Sequence, residues 1–111
     1  MAKIVSLNKN RDFRRIYMKG RSFVSPVLVT YVFQNRMSSK RIGITTSKKT
    51  GNAVKRNRSR RIIKEAYRQI MPKIKVKADF VFVSRAKTCD AKTTDILKAM
   101  SYHLRKAGIL E

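Results

Sequence analysis

The chain has 111 residues, 42% of them apolar and 8% aromatic, with a formal charge of +22 from 28 Lys and Arg against six Asp and Glu. That length suits one domain, residues 1–111, with a modest core. The lone cysteine, Cys89, excludes an internal disulfide and fits a reducing, cytoplasmic setting. Surface ion pairs cannot neutralise so large an excess of cations. The self-repulsion is best relieved by a polyanion, with nucleic acid the first candidate and an anionic membrane surface the second.

No apolar run approaches the roughly 20 residues needed to span a bilayer. The opening MAKIVSLNKN is too briefly apolar for a signal peptide. Residues 8–19 predict a short helix, with Asn8 or Asn10 as cap, Asp12 placed to suit the helix dipole and Gly20 as the stop. Phe13, Ile16 and Tyr17 form its apolar stripe. Residues 25–34, SPVLVTYVFQ, are rich in β-branched and aromatic residues and predict a strand. Residues 22–24 suggest a further short strand. A polar connection follows over 35–40, and RIGITT at 41–46 reads as an antiparallel partner of the strand before it.

Gly51 and Asn52 break the pattern. A helix then runs from 53 to about Met71, stopped by Pro72. ADFVFVS at 78–84 is apolar on both faces and predicts a central strand. A last helix covers 93–106, with Ile96, Leu97, Met100, His103 and Leu104 inward and Gly108 as its stop. This α-β-β-α-β-α order, with the extra short strand, makes one α+β domain.

The stretch KKTGNAVKRNRSRRIIK, 48–64, carries eight Lys or Arg and no acid. On a helical wheel Ile62, Ile63, Ala66, Tyr67 and Ile70 share the core arc. Asn57, Arg58, Arg60, Arg61, Lys64 and Arg68 fill the opposite one. Lys55 and Arg56 fall on the apolar arc, which requires the first turn to project beyond the core. A solvated face normally alternates signs, whereas this one has only Glu65. Arginine predominates over 56–61, and its planar fork suits phosphate. A phosphate-backbone surface is the reading that follows. Free N–H groups at the helix start add to it. Asn57 alone gives little support for base reading in a major groove, so DNA and RNA are not separated by this helix.

The strand over 27–33 is apolar on both sides. Either helices cover both faces, or one face is open and presents Tyr31 for stacking, as single-strand binding grooves do. Phe13 and Tyr17, among Arg11, Arg14, Arg15 and Lys19, could form the other wall. Chemistry of the chain's own is poorly supported. His103 lies on an apolar helix face, Cys89 has no thiol or histidine neighbour in sequence, the acids are scattered, and four glycines make no phosphate loop.

Residues 41–68, RIGITTSKKTGNAVKRNRSRRIIKEAYR, resemble the signature of the bacterial ribonuclease P protein subunit, in which a Lys-Lys-x-Gly-Asn-Ala-Val-x-Arg-Asn-Arg pattern leads into a basic helix. Here the pattern falls on Lys48, Lys49, Gly51, Asn52, Ala53, Val54, Arg56, Asn57 and Arg58. The resemblance extends through NRDFRRIYMKG to the last strand and helix and covers nearly the whole chain. It implies an α-β sandwich like domain 2 of ribosomal protein S5, with a left-handed β-α-β crossover, an exception to the usual hand. It also implies a ribonucleoprotein endoribonuclease that removes the 5′ leader of precursor tRNA. Hydrolysis there belongs to a catalytic RNA using Mg2+, and the protein has no catalytic residue, metal site, membrane role or small-molecule substrate.

By this resemblance Lys55, Arg56, Asn57, Arg58, Arg60, Arg61, Lys64 and Arg68 face the catalytic RNA. Phe13, Tyr17, Tyr31, Lys48 and Lys49 line a leader cleft between the first helix and the sheet. Tyr17 stands where many relatives have Phe, and the basic tail before the first helix is short, with only Lys3 and Lys9 before Arg11. The alternatives are a ribosomal-type structural RNA-binding protein or RNA chaperone, and a membrane-surface binder. The last requires an exposed apolar helix face, which the core needs here.

Overall fold

The computed structural model describes residues 4–34 and 40–110, and Lys48 by its backbone alone. The expected connection at 35–40 therefore lies outside the described residues except for Lys40, as does Lys3. In chain order the elements are β1 (Val5–Ser6), α1 (Asn10–Lys19), β2 (Arg21–Val24), β3 (Leu28–Gln34), β4 (Arg41–Thr45), α2 (Ala53–Ile70), β5 (Ala78–Ser84) and α3 (Thr93–Lys106). Short 3-10 turns sit at Lys48–Thr50, Met71–Lys73 and Thr88–Asp90. The sheet runs β1-β4-β5-β3-β2.

β5 is central, as its two apolar faces predict. It pairs antiparallel with β3 (Tyr31 opposite Val81) and parallel with β4 (Gly43 opposite Val81). β4 is thus not the antiparallel partner of β3 that sequence adjacency suggests. β5 lies between them and is buried along nearly its whole length, more fully than β3, and α2 carries the chain across. β1, which was not predicted, pairs parallel with β4 over Arg41 and Ile42 only. Beyond that pair, Gly43 to Thr45 have β5 on one side and, among the described residues, no strand on the other.

Strand alternation divides the side chains between two faces. Leu28, Val32, Ile42, Phe80 and Phe82 lie in the main core with Ile62, Ile63, Ala66, Tyr67 and Ile70 of α2 and Ile96, Met100 and Leu104 of α3. The wheel's five core residues of α2 are all buried. Ser59, which the wheel did not place there, is buried too because its hydroxyl donates to the Lys55 carbonyl at 2.9 Å. Phe80 and Phe82 stack with centroids 6.3 Å apart beneath Tyr67. Each fully buried ring contributes about 1.5–3 kcal/mol of transfer free energy.

The Tyr67 hydroxyl is buried and has no hydrogen-bond partner among the described residues. Burial pushes its pKa up to about 12. Tyr67→Phe removes a desolvated, unpaired group. It is expected to raise stability by about 1 kcal/mol, read as a higher urea midpoint at unchanged slope. A lower midpoint would show that the hydroxyl is satisfied.

The opposite face carries a smaller cluster of Leu7, Ile16 and Val81, with Phe13, Tyr31, Phe33 and Val83 packed half-exposed around it. Only α1 lies there. It begins at Asn10 without a side-chain cap, so neither Asn8 nor Asn10 takes the capping role the sequence offered. Asp12 is buried and bonded to Arg15 at 3.0 Å, with Arg41 at 3.7 Å. His103 is a core histidine: its Nδ1 lies 2.8 Å from Thr30 Oγ1, and burial lowers its pKa.

Candidate nucleic-acid interface

The basic helix starts where Gly51, at φ 129°, turns the chain in a region that side chains with a Cβ rarely adopt. Asn52 then caps α2 by accepting from the Lys55 amide at 3.0 Å. Ala53, Val54 and Lys55 are exposed and Arg56 is half-buried. The first turn does project beyond the core, which lets Lys55 and Arg56 occupy the wheel's apolar arc.

The cations on α2 are not equivalent. Arg58 Nε donates to the Cys89 carbonyl at 2.7 Å, tying the helix to the turn before α3. Arg60 reaches Asn57 Oδ1 at 3.4 Å, and Arg56 reaches the Gly51 carbonyl at 3.4 Å. Arg68 grips Glu65 through two bonds of 3.0 and 2.6 Å, which holds the Glu65 carboxyl below its ordinary range. Its charge is largely matched at this i,i+3 spacing. Arg61 and Lys64 are exposed and no acid pairs with either among the described residues.

On the opposite face of the sheet the three predicted aromatics converge. Phe13 lies over Gly43, where a Cβ would sit 2.6 Å from the ring's Cζ. Its ring centroid is 6.5 Å from that of Tyr17, which meets Tyr31 edge-on at 4.9 Å. The Tyr17 hydroxyl reaches Thr45 Oγ1 at 3.3 Å. Phe13 and Tyr31 are half-buried and Tyr17 is 40% exposed. Of the two options the sequence left for this face, partial cover by α1 with an open remainder is the observed one.

The open remainder continues into a concavity of about 770 Å³ lined by Val24, Val29 and Val83, with Lys49, Arg85 and Lys87 at its margin. Sequence reasoning placed Lys49 here but missed the other five. Strand parity could have found the valines, since Val29 shares a face with Tyr31 and pairs directly with Val83. Arg85 and Lys87 follow β5 in a loop, where no periodic signal exists. The Lys48 side chain lies outside the described residues.

Asp12 and Asp79 are buried, Glu65 and Asp95 bond within their own helices or helix starts, and Asp90 is exposed. Asp79 accepts two bonds from Arg41, at 2.8 and 2.7 Å, which raise the Arg41 pKa. Asp95 accepts from the Lys92 amide at 3.1 Å at the start of α3. Among the described residues no group of three or more His, Cys, Asp or Glu side chains could hold a metal ion. Nor is any described helix long and apolar enough to cross a membrane.

A family model for ribonuclease P matches residues 1–108. The ribonuclease P protein component of Clostridioides difficile (strain 630) is 44% identical over 104 residues, covering 93% of this chain and 91% of the relative. That of Clostridium novyi (strain NT) is 41% identical and covers 98% of both chains. Among solved structures, the Staphylococcus aureus RNase P protein superposes with a TM-score of 0.84 at 34% identity, covering 98% of this chain and all of that one. The RNase P protein of Thermotoga maritima gives a TM-score of 0.79 at 26% identity over 91% and 96% of the two chains. A five-stranded α+β fold, a basic helix opened by Gly51 and Asn52, and similarity along almost the whole length agree: the chain belongs to the ribonuclease P protein family.

Proposed function

We propose that the protein binds the catalytic RNA of ribonuclease P through the exposed cations of α2 and guides the 5′ leader of precursor tRNA through the cleft between α1 and the sheet. The observation that carries this reading is the cleft: Phe13, Tyr17 and Tyr31 meet over a partly open sheet face whose margin holds Lys49, Arg85 and Lys87. Aromatic platforms beside cations suit a single strand, whose bases stack while its phosphates pair. A ribosomal-type RNA-binding protein has no need of such a cleft. Lys55, Arg56, Asn57, Arg60, Arg61 and Lys64 supply the second surface. Arg58 contributes what its bond to the Cys89 carbonyl leaves free, and Arg68 contributes little beside Glu65.

Phosphodiester hydrolysis on this reading belongs to the RNA with its Mg2+. The chain's own groups fit that division, because Asp12, Asp79 and Glu65 are ion-paired, and His103 is bonded to Thr30 within the main core. The protein positions substrate, and the RNA cleaves it.

The test combines the protein with bacterial ribonuclease P RNA and precursor tRNA at low magnesium, where correct 5′ cleavage should increase. No increase would sink the proposal. Phe13→Ala is expected to weaken binding of precursor tRNA by roughly 1–3 kcal/mol if the ring stacks on a leader base. Equal loss of affinity for mature tRNA, which lacks the leader, would contradict that role.

A further inference from the structure

The edge of β4 that β1 leaves free opens on a groove of about 390 Å³. Its floor is formed by Leu7, Phe13, Gly43 and Ile44, and its wall by Arg60, Arg61 and Lys64 of α2. No acid lines it among the described residues. The volume is at the low end of small-molecule sites, which span about 300–1,000 Å³, so it can hold one flat group but not a duplex groove. Three kinds of surface meet there: apolar contacts, cations that no described acid matches, and the outer side of a strand that lacks a neighbour beyond Ile42 among the described residues.

We infer that this groove takes a single unpaired nucleotide of an RNA, its base against the Ile44 and Phe13 floor and its phosphate on Arg61 and Lys64. Unpaired RNA bases are read by stacking and by hydrogen bonds to their edges, and an open strand edge can offer such bonds. The sign of the wall decides against a strand-adding peptide unless that peptide is acidic. The inference deepens the RNA-binding role proposed for α2 and rests on it. It adds that one base is held beside the helix, where a purely phosphate-reading surface would hold none. The groove shares no lining residue with the concavity on the open sheet face, and Leu7 and Phe13 border it from that side.

Ser6 lies on the rim in β1 and is exposed. Ser6→Tyr, which places a ring across the groove, is expected to weaken binding to bacterial ribonuclease P RNA by roughly tenfold. The dependence of log affinity on log salt should fall by no more than the roughly 0.7–0.9 of one phosphate contact, because Arg61 and Lys64 are both retained. A melting curve like the parent's shows that the variant folds. Independently, Ser6→Cys carrying a photo-crosslinker should attach to one unpaired nucleotide of that RNA. Labelling is selective because Cys89 is buried.

If the parent binds the RNA and Ser6→Tyr binds equally tightly, the inference is overturned while the general role of α2 stands. Crosslinks scattered over helical nucleotides overturn it as well. Preferential capture of a poly-glutamate peptide by the Ser6→Cys probe overturns it in favour of strand addition. Failure of the parent to bind the RNA at all sinks the broader proposal instead.

Discussion

Asp79→Asn is expected to destabilise the fold by about 3–5 kcal/mol. Asp79 is 1% exposed and holds the Arg41 guanidinium through two bonds, so losing its charge leaves a cation whose side chain is only 16% exposed with only the more distant Asp12, at 3.7 Å, among the described acids. A domain of this size has about 5–15 kcal/mol in total, so the variant should lose much of its urea midpoint. The damage should also reach the cleft, since the same Arg41 approaches Asp12 on α1. Removing both charges together, as Arg41→Met with Asp79→Leu, should restore most of the loss because no buried ion is left alone. A cost below about 1 kcal/mol for Asp79→Asn would mean that the pair is solvated.

Arg61→Ala combined with Lys64→Ala is expected to reduce the slope of log affinity against log salt by about 1.4–1.8, the release of two counterions. These two side chains are exposed and pair with no acid among the described residues, so their charge is available to phosphate. The matched exchange Glu65→Gln with Arg68→Gln leaves the net charge unchanged and should leave the slope unchanged too. Titrating bacterial ribonuclease P RNA at several salt concentrations distinguishes the two variants. An unaltered slope for the Arg61 and Lys64 pair would remove α2's outer face from the RNA interface.

What could be read from the sequence follows from how local each signal is. The helix at 93–106 and the strand at 78–84 were legible because their periods and stops lie within the segments themselves. The partner of β4 was not, since the segments of β3 and β5 both read as apolar on two sides, and which of them pairs with β4 is settled by contacts between residues far apart in the chain. β1 has two residues and carries no period at all. For the interface, the i,i+3 spacing of Glu65 and Arg68 carries a signal for their pairing, which the reading of Arg68 as an RNA-facing cation passes over. The bond from Arg58 to the Cys89 carbonyl joins residues 31 apart, and no pattern in the chain encodes it. Composition marked Phe13, Tyr17 and Tyr31 as stacking candidates. Only the one-sided placement of α1 brought them together.

The free edge at Gly43 to Thr45 also bears on how this protein behaves alone. An unpaired strand edge is a template on which a second copy can add, the usual start of edge-to-edge aggregation. Here Arg60, Arg61 and Lys64 stand beside that edge on a chain of charge +22. Two copies approaching edge to edge would bring these cations together, so the repulsion acts as a gatekeeper for the exposed strand. Neutralising them with a small polyanion too short to cover the groove would lift that protection, leaving a more sociable and less soluble molecule than either the bare protein or its RNA complex.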